Sequence, residues 1–353
     1  MQKQNSAAQC VAEVARPKSG KVVIAKRPVP LSAYSVDIVS YSSSGFSVDL
    51  AAVLWPLWLT GSSLWLHLAT VISLALGLVL TLRRETPRAL GVERMIPFGP
   101  TFFAAPLALF GLQHFVFLNE VKDVVPSWMP GHIFWACLVG VALIAASLSM
   151  MTEIKAGLAA LLTGIMLFLF VLMIDLPGLV QDPHDRFGIT GTLRDLALSG
   201  GALALAGTVG VLGTKQPMSW LVNVGRWFFA APMLYFGPEH FMHPEFAPGV
   251  PFPVMMPSWI PGHLAWAYGT GAVLVVGGVC ILANKGARTA AAWLGIAFLL
   301  LVVCIYMPRE IIHPSIEISG ELDDVTDTLA MSGAALLVAG ALARKTVLGA
   351  ESS

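Results

Sequence analysis

Charge is scarce in this sequence. Of 353 residues only 12% are Asp, Glu, Lys or Arg, against about 25% in a soluble domain. With 56% hydrophobic residues and a mean hydropathy of +0.75, most of the chain belongs in lipid. Net charge is zero, which leaves no electrostatic footprint for a nucleic acid. Cysteine is scarce too. Cys10 lies near the start; Cys137, Cys280 and Cys304 lie inside apolar runs without CxxC spacing, and these three read as small apolar side chains and not as redox or metal groups. No apolar stretch follows the early basic residues Lys3, Arg16, Lys18, Lys21, Lys26 and Arg27, which argues against a secretory signal peptide. No Glu-x-x-His stands inside a helical run, as a di-iron bundle needs, so no metal site is expected.

What is present is a phrase used twice. Residues 126–136 read Pro-Ser-Trp-Met-Pro-Gly-His-Ile-Phe-Trp-Ala, and residues 257–267 repeat eight of those eleven positions at an offset of 131. Phe102-Phe103-Ala104-Ala105-Pro106 returns as Phe228-Phe229-Ala230-Ala231-Pro232, and Gly111, His114 and Phe115 return as Gly237, His240 and Phe241. Such self-similarity is the mark of a duplicated unit.

A spanning helix needs about 20 mostly apolar residues. Nine runs qualify: 64–82, 96–117, 132–151, 157–174, 193–212, 221–241, 263–283, 290–307 and 328–343. The fifth is weakened by Arg194 and Asp195; an eight-span alternative lays the first run on the membrane surface. The expected fold is all-α and polytopic, with one extra N-terminal helix and two tandem four-helix bundles. The segments are a disordered or surface tail (1–47), the extra helix with a basic loop (48–94), a first unit (95–213), a second unit (214–345) and a C-terminal tail (346–353). Four helices per unit is an even number, so both copies run in the same sense and a pseudo-two-fold axis lies along the membrane normal. Loops holding Arg83, Arg84, Arg88, Arg94, Lys155, Lys215, Arg226, Lys285, Arg288, Arg344 and Lys345 oppose loops holding only Lys122, Arg186, Arg194 and Arg309. Lys and Arg mark the cytoplasmic side. The C-terminus is thus expected in the cytoplasm and the Pro-Ser-Trp loops outside.

At the outer ends stand His114 and His132, matched by His240 and His263. Trp128 and Trp259 suit the headgroup level. Ionisable groups near the bilayer core tend to mark function, although a neutral histidine can equally satisfy a loose carbonyl at a helix end. Such imidazoles could ligate a metal or haem, hydrogen-bond a quinone-like headgroup, or relay protons. Glu239 adds charge in the second copy, with His243 and Glu245 beyond it, where the first copy has Gln113 and Asn119. In the other outer loop Asp175-Leu176-Pro177 aligns with Tyr306-Met307-Pro308. Arg309 and Glu310 follow and could pair. The acidic run from Glu317 to Asp327 reads as a solvated loop, and His67 as a solitary packed histidine. Ala197-Leu198-Ser199-Gly200-Gly201 and Ala330-Met331-Ser332-Gly333-Ala334 read as packing seams.

The chain resembles the DoxX-like family of four-helix membrane proteins. The resemblance rests on Gly111-x-x-His114-Phe115, Pro126-Ser127-Trp128-x-Pro130, Asp175-x-Pro177 and Leu196-Ala197-Leu198-x-Gly200-Gly201. Their counterparts are Gly237-x-x-His240-Phe241, Pro257-Ser258-Trp259-x-Pro261, Met307-Pro308 and Leu329-Ala330-Met331-x-Gly333. It covers about residues 95–343 and implies a fused pair of units in a bacterial inner membrane. It also implies a link to redox chemistry, because related subunits occur in thiosulfate:quinone oxidoreductases. The expected function is a redox-associated subunit holding a quinone-like or small amphiphilic ligand near the outer face, with soluble or membrane redox partners. A carrier, or a scaffold without chemistry of its own, is the alternative.

Overall fold

The structure is a computed structural model that describes residues 62–84, 91–211, 217–251, 254–312 and 320–351. The tail expected over 1–47 lies outside the described residues, as do Arg88, Lys215, His313 and Glu317; so do the side chains of Arg344 and Lys345. Every regular element among the described residues is helical, and the single extended contact is an isolated bridge between Phe246 and Met255.

The helices are α1 (Ser62–Arg84), α2 (Gly99–Val116), α3 (Leu118–Val124), α4 (His132–Thr152), α5 (Ala156–Phe170), α6 (Leu176–Gln181) and α7 (Arg186–Val209), followed by α8 (Ser219–Met242), α9 (His263–Leu282), α10 (Ala287–Leu301), α11 (Met307–Ile312) and α12 (Glu321–Glu351). A 3₁₀ segment, Gly91–Phe98, leads into α2. One π turn (Val171–Asp175) joins α5 to α6 and another (Val302–Tyr306) joins α10 to α11. Both π turns precede a proline, Pro177 or Pro308. Proline cannot donate and crowds the carbonyl four residues back, and the wider turn accommodates it without ending the span.

Among the described residues seven stretches are long and apolar enough to cross a membrane: Trp65–Arg84, Gly91–Val116, His132–Thr152, Ala156–Gln181, His263–Leu282, Ala287–Ile312 and Glu321–Leu342. The sequence had suggested nine. The remaining two, α7 and α8, are 24 residues each and reach the length a bilayer demands, but they carry more polar groups. α7 packs between α5, α8 and α12, and α8 between α7 and α9, so other helices cover much of their surface.

The core lies along α12, whose apolar window is 94% buried, while that of the peripheral α1 is only 11% buried. α12 packs against α10, α2 and α7. The first helix of each expected unit therefore sits against the last helix of the other: α2 on α12, and α8 on α7. The two expected segments interleave in one body.

Glycine makes the close approaches possible. A Cβ on Gly200 would come within 2.6 Å of Phe229 N, and one on Gly201 within 2.6 Å of Ala334 Cβ. Gly333 meets the backbone of Phe102 and Phe103 in the same way. Hydrogen bonds recur at matching places: Ser199 Oγ donates to Gly164 O at 2.7 Å, and Ser332 Oγ to Gly295 O at 2.7 Å.

Candidate functional site

The duplicated loops end in Gly131 and Gly262, which adopt left-handed conformations (φ 73° and 74°) and start α4 and α9 at His132 and His263. A side chain at either glycine would strain that reversal. Trp128 is 69% exposed and Trp259 46%, as a headgroup-level anchor requires.

The four histidines are held in four different ways. His240 is buried. Its Nδ1 donates to Phe236 O at 2.6 Å and its Nε2 accepts from Gly249 N at 2.8 Å. Those two bonds fix the tautomer and occupy both nitrogens. With Tyr306 Oη donating to Pro248 O (2.9 Å) and Thr190 Oγ1 to Pro251 O (3.1 Å), they pin the segment after α8 over the helix ends. His114 Nδ1 donates to Phe110 O at 2.7 Å, while Nε2 makes no hydrogen bond among the described residues. His263 Nε2 donates to Pro257 O at 3.1 Å. His132 is half-buried. No hydrogen bond joins any two of them. Among the described residues no three His, Cys, Asp or Glu side chains converge as metal ligands would.

What converges instead is a layer of ion pairs at this same end of the helices. Arg194 Nη1 donates to Asp327 Oδ2 at 2.6 Å and its Nε to Asp195 Oδ1 at 2.9 Å. Arg309 donates to Asp324 Oδ2 at 2.8 Å and to Glu321 Oε1 at 3.4 Å. Glu310 takes its bond from α1, with His67 Nε2 2.6 Å from Oε1. Gln113 Nε2 donates to Asp323 Oδ1 at 2.5 Å. Arg186 Nε donates to Glu239 Oε2 at 2.6 Å, and its guanidinium lies 4.7 Å from the centre of the Phe246 ring. Asp175, from the first π turn, feels the charges of Asp195 and Arg194; its Oδ2 and Glu310 Oε2 are buried with no hydrogen-bond partner among the described residues.

These contacts correct several expectations. Arg309 and Glu310 do not pair; each is directed to a different helix. His67 is not solitary. The acidic run is not a solvated loop over its described part, since Asp324 and Asp327 are each only 7% exposed and open α12 within the core. Nor does charge stand in the second half alone, because Glu239 is matched by Arg186 from α7.

The contacts also orient the molecule. Arg194 and Asp327 bring together the N-terminal portions of α7 and α12. Arg186 ties the start of α7 to the end of α8, and Gln113 ties the end of α2 to the start of α12. His114 and His240 therefore sit at one common end. Three guanidinium groups and eight carboxyls meet there, which gives an acid-rich layer able to hold protons or a polar headgroup.

Sequence reading missed Arg194, Asp195, Asp327, Asp324 and His67 as members of this layer. One signal was available. Arg194 and Asp327 stand 133 residues apart, the same separation as Ala197 and Ala330 in the repeated seam. Opposite charges at equivalent places are what a contact between repeated helices needs.

Fold and site together define an all-helical, multi-pass membrane protein with a buried ionic layer at one helix end. Comparison with models of known protein families, with curated proteins and with solved structures returns no match.

Proposed function

We propose that the chain is a duplicated DoxX-like unit in the bacterial inner membrane, with its tandem halves running in the same sense, its histidine loops outside and its C-terminus in the cytoplasm. Nine spans then cross the bilayer, α7 and α8 among them. Its role is that of a redox-associated subunit serving a quinone-like amphiphile near the outer face, with electrons supplied by a redox partner. Reducing a quinone consumes two protons with two electrons, and a buried bank of carboxyls beside arginine is suited to delivering them.

The observation that carries this reading is the acid-rich layer assembled from both halves at the histidine-bearing end. The family resemblance supports it through the ordered motifs. A carrier working between the halves finds less support, because the seam between α7 and α12 is closed to the point where Gly201 has no room for a Cβ against Ala334.

The test is binding of a decyl-tailed benzoquinone to the full-length protein in lipid nanodiscs, followed by absorbance. Saturable binding is expected, and proton uptake on dithionite reduction of the bound quinone, followed with a pH dye, should slow about tenfold in Asp324→Asn or Glu310→Gln. Absence of saturable binding to the folded wild-type protein contradicts the proposal.

A further inference from the structure

The two halves differ most tellingly on a face that carries no ion pair. A cleft of about 420 Å³ runs between α9 and α10, starting at Pro261 and Gly262 and reaching Val273. Its walls include Ala265, Trp266, Gly269, Thr270, Ala297 and Leu301. The volume falls within the range of small-molecule sites, about 300–1,000 Å³. From Gly262 to Val273 the helix rises about 16 Å at 1.5 Å per residue, so the cleft enters the membrane from the outer end.

At the equivalent positions the first half carries larger side chains. Phe134 stands for Ala265, Leu138 for Gly269, Met166 for Ala297 and Phe170 for Leu301. The order reverses only at the inner end, where Val273 replaces Ala142 and closes the floor. Nothing lies within 4 Å of where a Cβ on Gly269 would stand. The second half is hollowed at Ala265 and Gly269, four residues apart on one face of α9, and at Ala297 and Leu301, four apart on α10.

The polar groups differ in the same way. In the first half the Trp135 indole donates to Pro130 O at 3.0 Å. Trp266, its counterpart, makes no hydrogen bond among the described residues, and neither does the Thr270 hydroxyl one turn further in. The cleft therefore offers two unused donors on an apolar wall and no charged side chain. An anionic phosphate has no partner there. A neutral ring bearing a carbonyl fits: an acceptor for the indole N–H or the hydroxyl, a flat face to lie on Trp266, and a hydrocarbon tail along Val273 and Leu301.

We propose that this lateral cleft is the binding site for the head and first tail carbons of a lipid-phase quinone, and that only the second half has such a site. The proposal rests on the amphiphile reading above and gives it an address on the lipid-facing side of α9 and α10, entered from the bilayer.

The test uses the full-length protein in nanodiscs. A benzoquinone with a diazirine on a ten-carbon tail is photolysed, and its adducts are mapped by peptide mass spectrometry. A phosphatidylethanolamine with a diazirine in one acyl chain serves as the second arm. Quinone adducts at residues 262–273 and 297–301, displaced by excess decyl-benzoquinone, are expected. Rebuilding the first half's bulk with Ala265→Phe and Gly269→Leu should reduce them at least tenfold, and Gly269 has open space to receive the new side chain. Trp266→Phe keeps a ring but removes the N–H, and should weaken competition about fivefold, the worth of one neutral hydrogen bond. Adducts that excess quinone does not displace, or that the acyl lipid forms equally, mean that bulk lipid fills the cleft and overturn the proposal. Displaceable adducts elsewhere, unaffected by Gly269→Leu, overturn the cleft but leave the functional reading standing. No displaceable adduct anywhere overturns both.

Discussion

At the scale of single residues, the pair Arg194–Asp327 is the most informative contact in the molecule. The two side chains occupy equivalent places in the repeat and reach each other at 2.6 Å, so the proposed two-fold axis passes between them. Gly201 and Ala334, also 133 residues apart, meet one heptad further in, where the helices close up. Breaking a buried pair by removing one partner costs about 3–5 kcal/mol, and partial exposure of Arg194 lowers that figure to about 2–3 kcal/mol. Arg194→Gln should destabilise the protein by this amount in a denaturant titration in detergent. The double variant Arg194→Asp with Asp327→Arg should recover part of the loss, while failing to restore the bond to Asp195. A double variant no better than the single one would show that these positions do not exchange roles. The pairing was hidden from a linear reading because an arginine near the start of a span looks like a defect in that span. Its partner looked like part of a hydrated acidic loop. Only the spacing shared with the small-residue seam links them.

At the scale of elements, the helix turns repeat their geometry even where their residues differ. Glu153 and Lys155, between α4 and α5, have φ values of 62° and 55°. Asn284 and Gly286, at the same places between α9 and α10, have 57° and 60°. The left-handed region costs an ordinary L-residue about 1–2 kcal/mol, and Gly or Asn less. The second half has residues suited to the turn, whereas the first tolerates strain. Lys155→Gly should therefore stabilise the protein by about 0.5–1 kcal/mol, with the gain in native backbone ease partly offset by a freer unfolded chain. Gly286→Lys should destabilise it by a similar amount. Thermal unfolding in detergent measures both, and a Lys155→Gly variant that melts lower would contradict this account of the turn. Spans, turns and the boundary tryptophans were legible in the sequence, since they follow from apolar length and from Pro, Gly and Trp placement. The π turns were not. They depend on how a helix accommodates Pro177 or Pro308 without ending, a choice made by packing and not by local preference.

At the scale of the whole molecule, the helices exchange partners: α2 of the first half with α12 of the second, and α8 of the second with α7 of the first. Repetition in the sequence led to an expectation of eight related helices but not of this interleaving, because side chains at a seam of small residues say how close a neighbour comes and not which neighbour it is. The arrangement places the ionic layer, the histidine-bearing helix ends and the mouth of the lateral cleft at one end. Basic residues such as Lys155, Lys285 and Arg288 gather at the other. All of it requires that both halves cross the bilayer in the same sense. Ser127 and Ser258 are both exposed in the repeated loops, and Asn284 is exposed at the opposite end. In a variant lacking native cysteines, each of the three is replaced singly by cysteine and treated with a membrane-impermeant maleimide, first on intact cells and then on inverted vesicles. Labelling of S127C and S258C only from outside, and of N284C only from inside, is the predicted result. Labelling of S127C and S258C from opposite sides would contradict the parallel duplication on which the account depends.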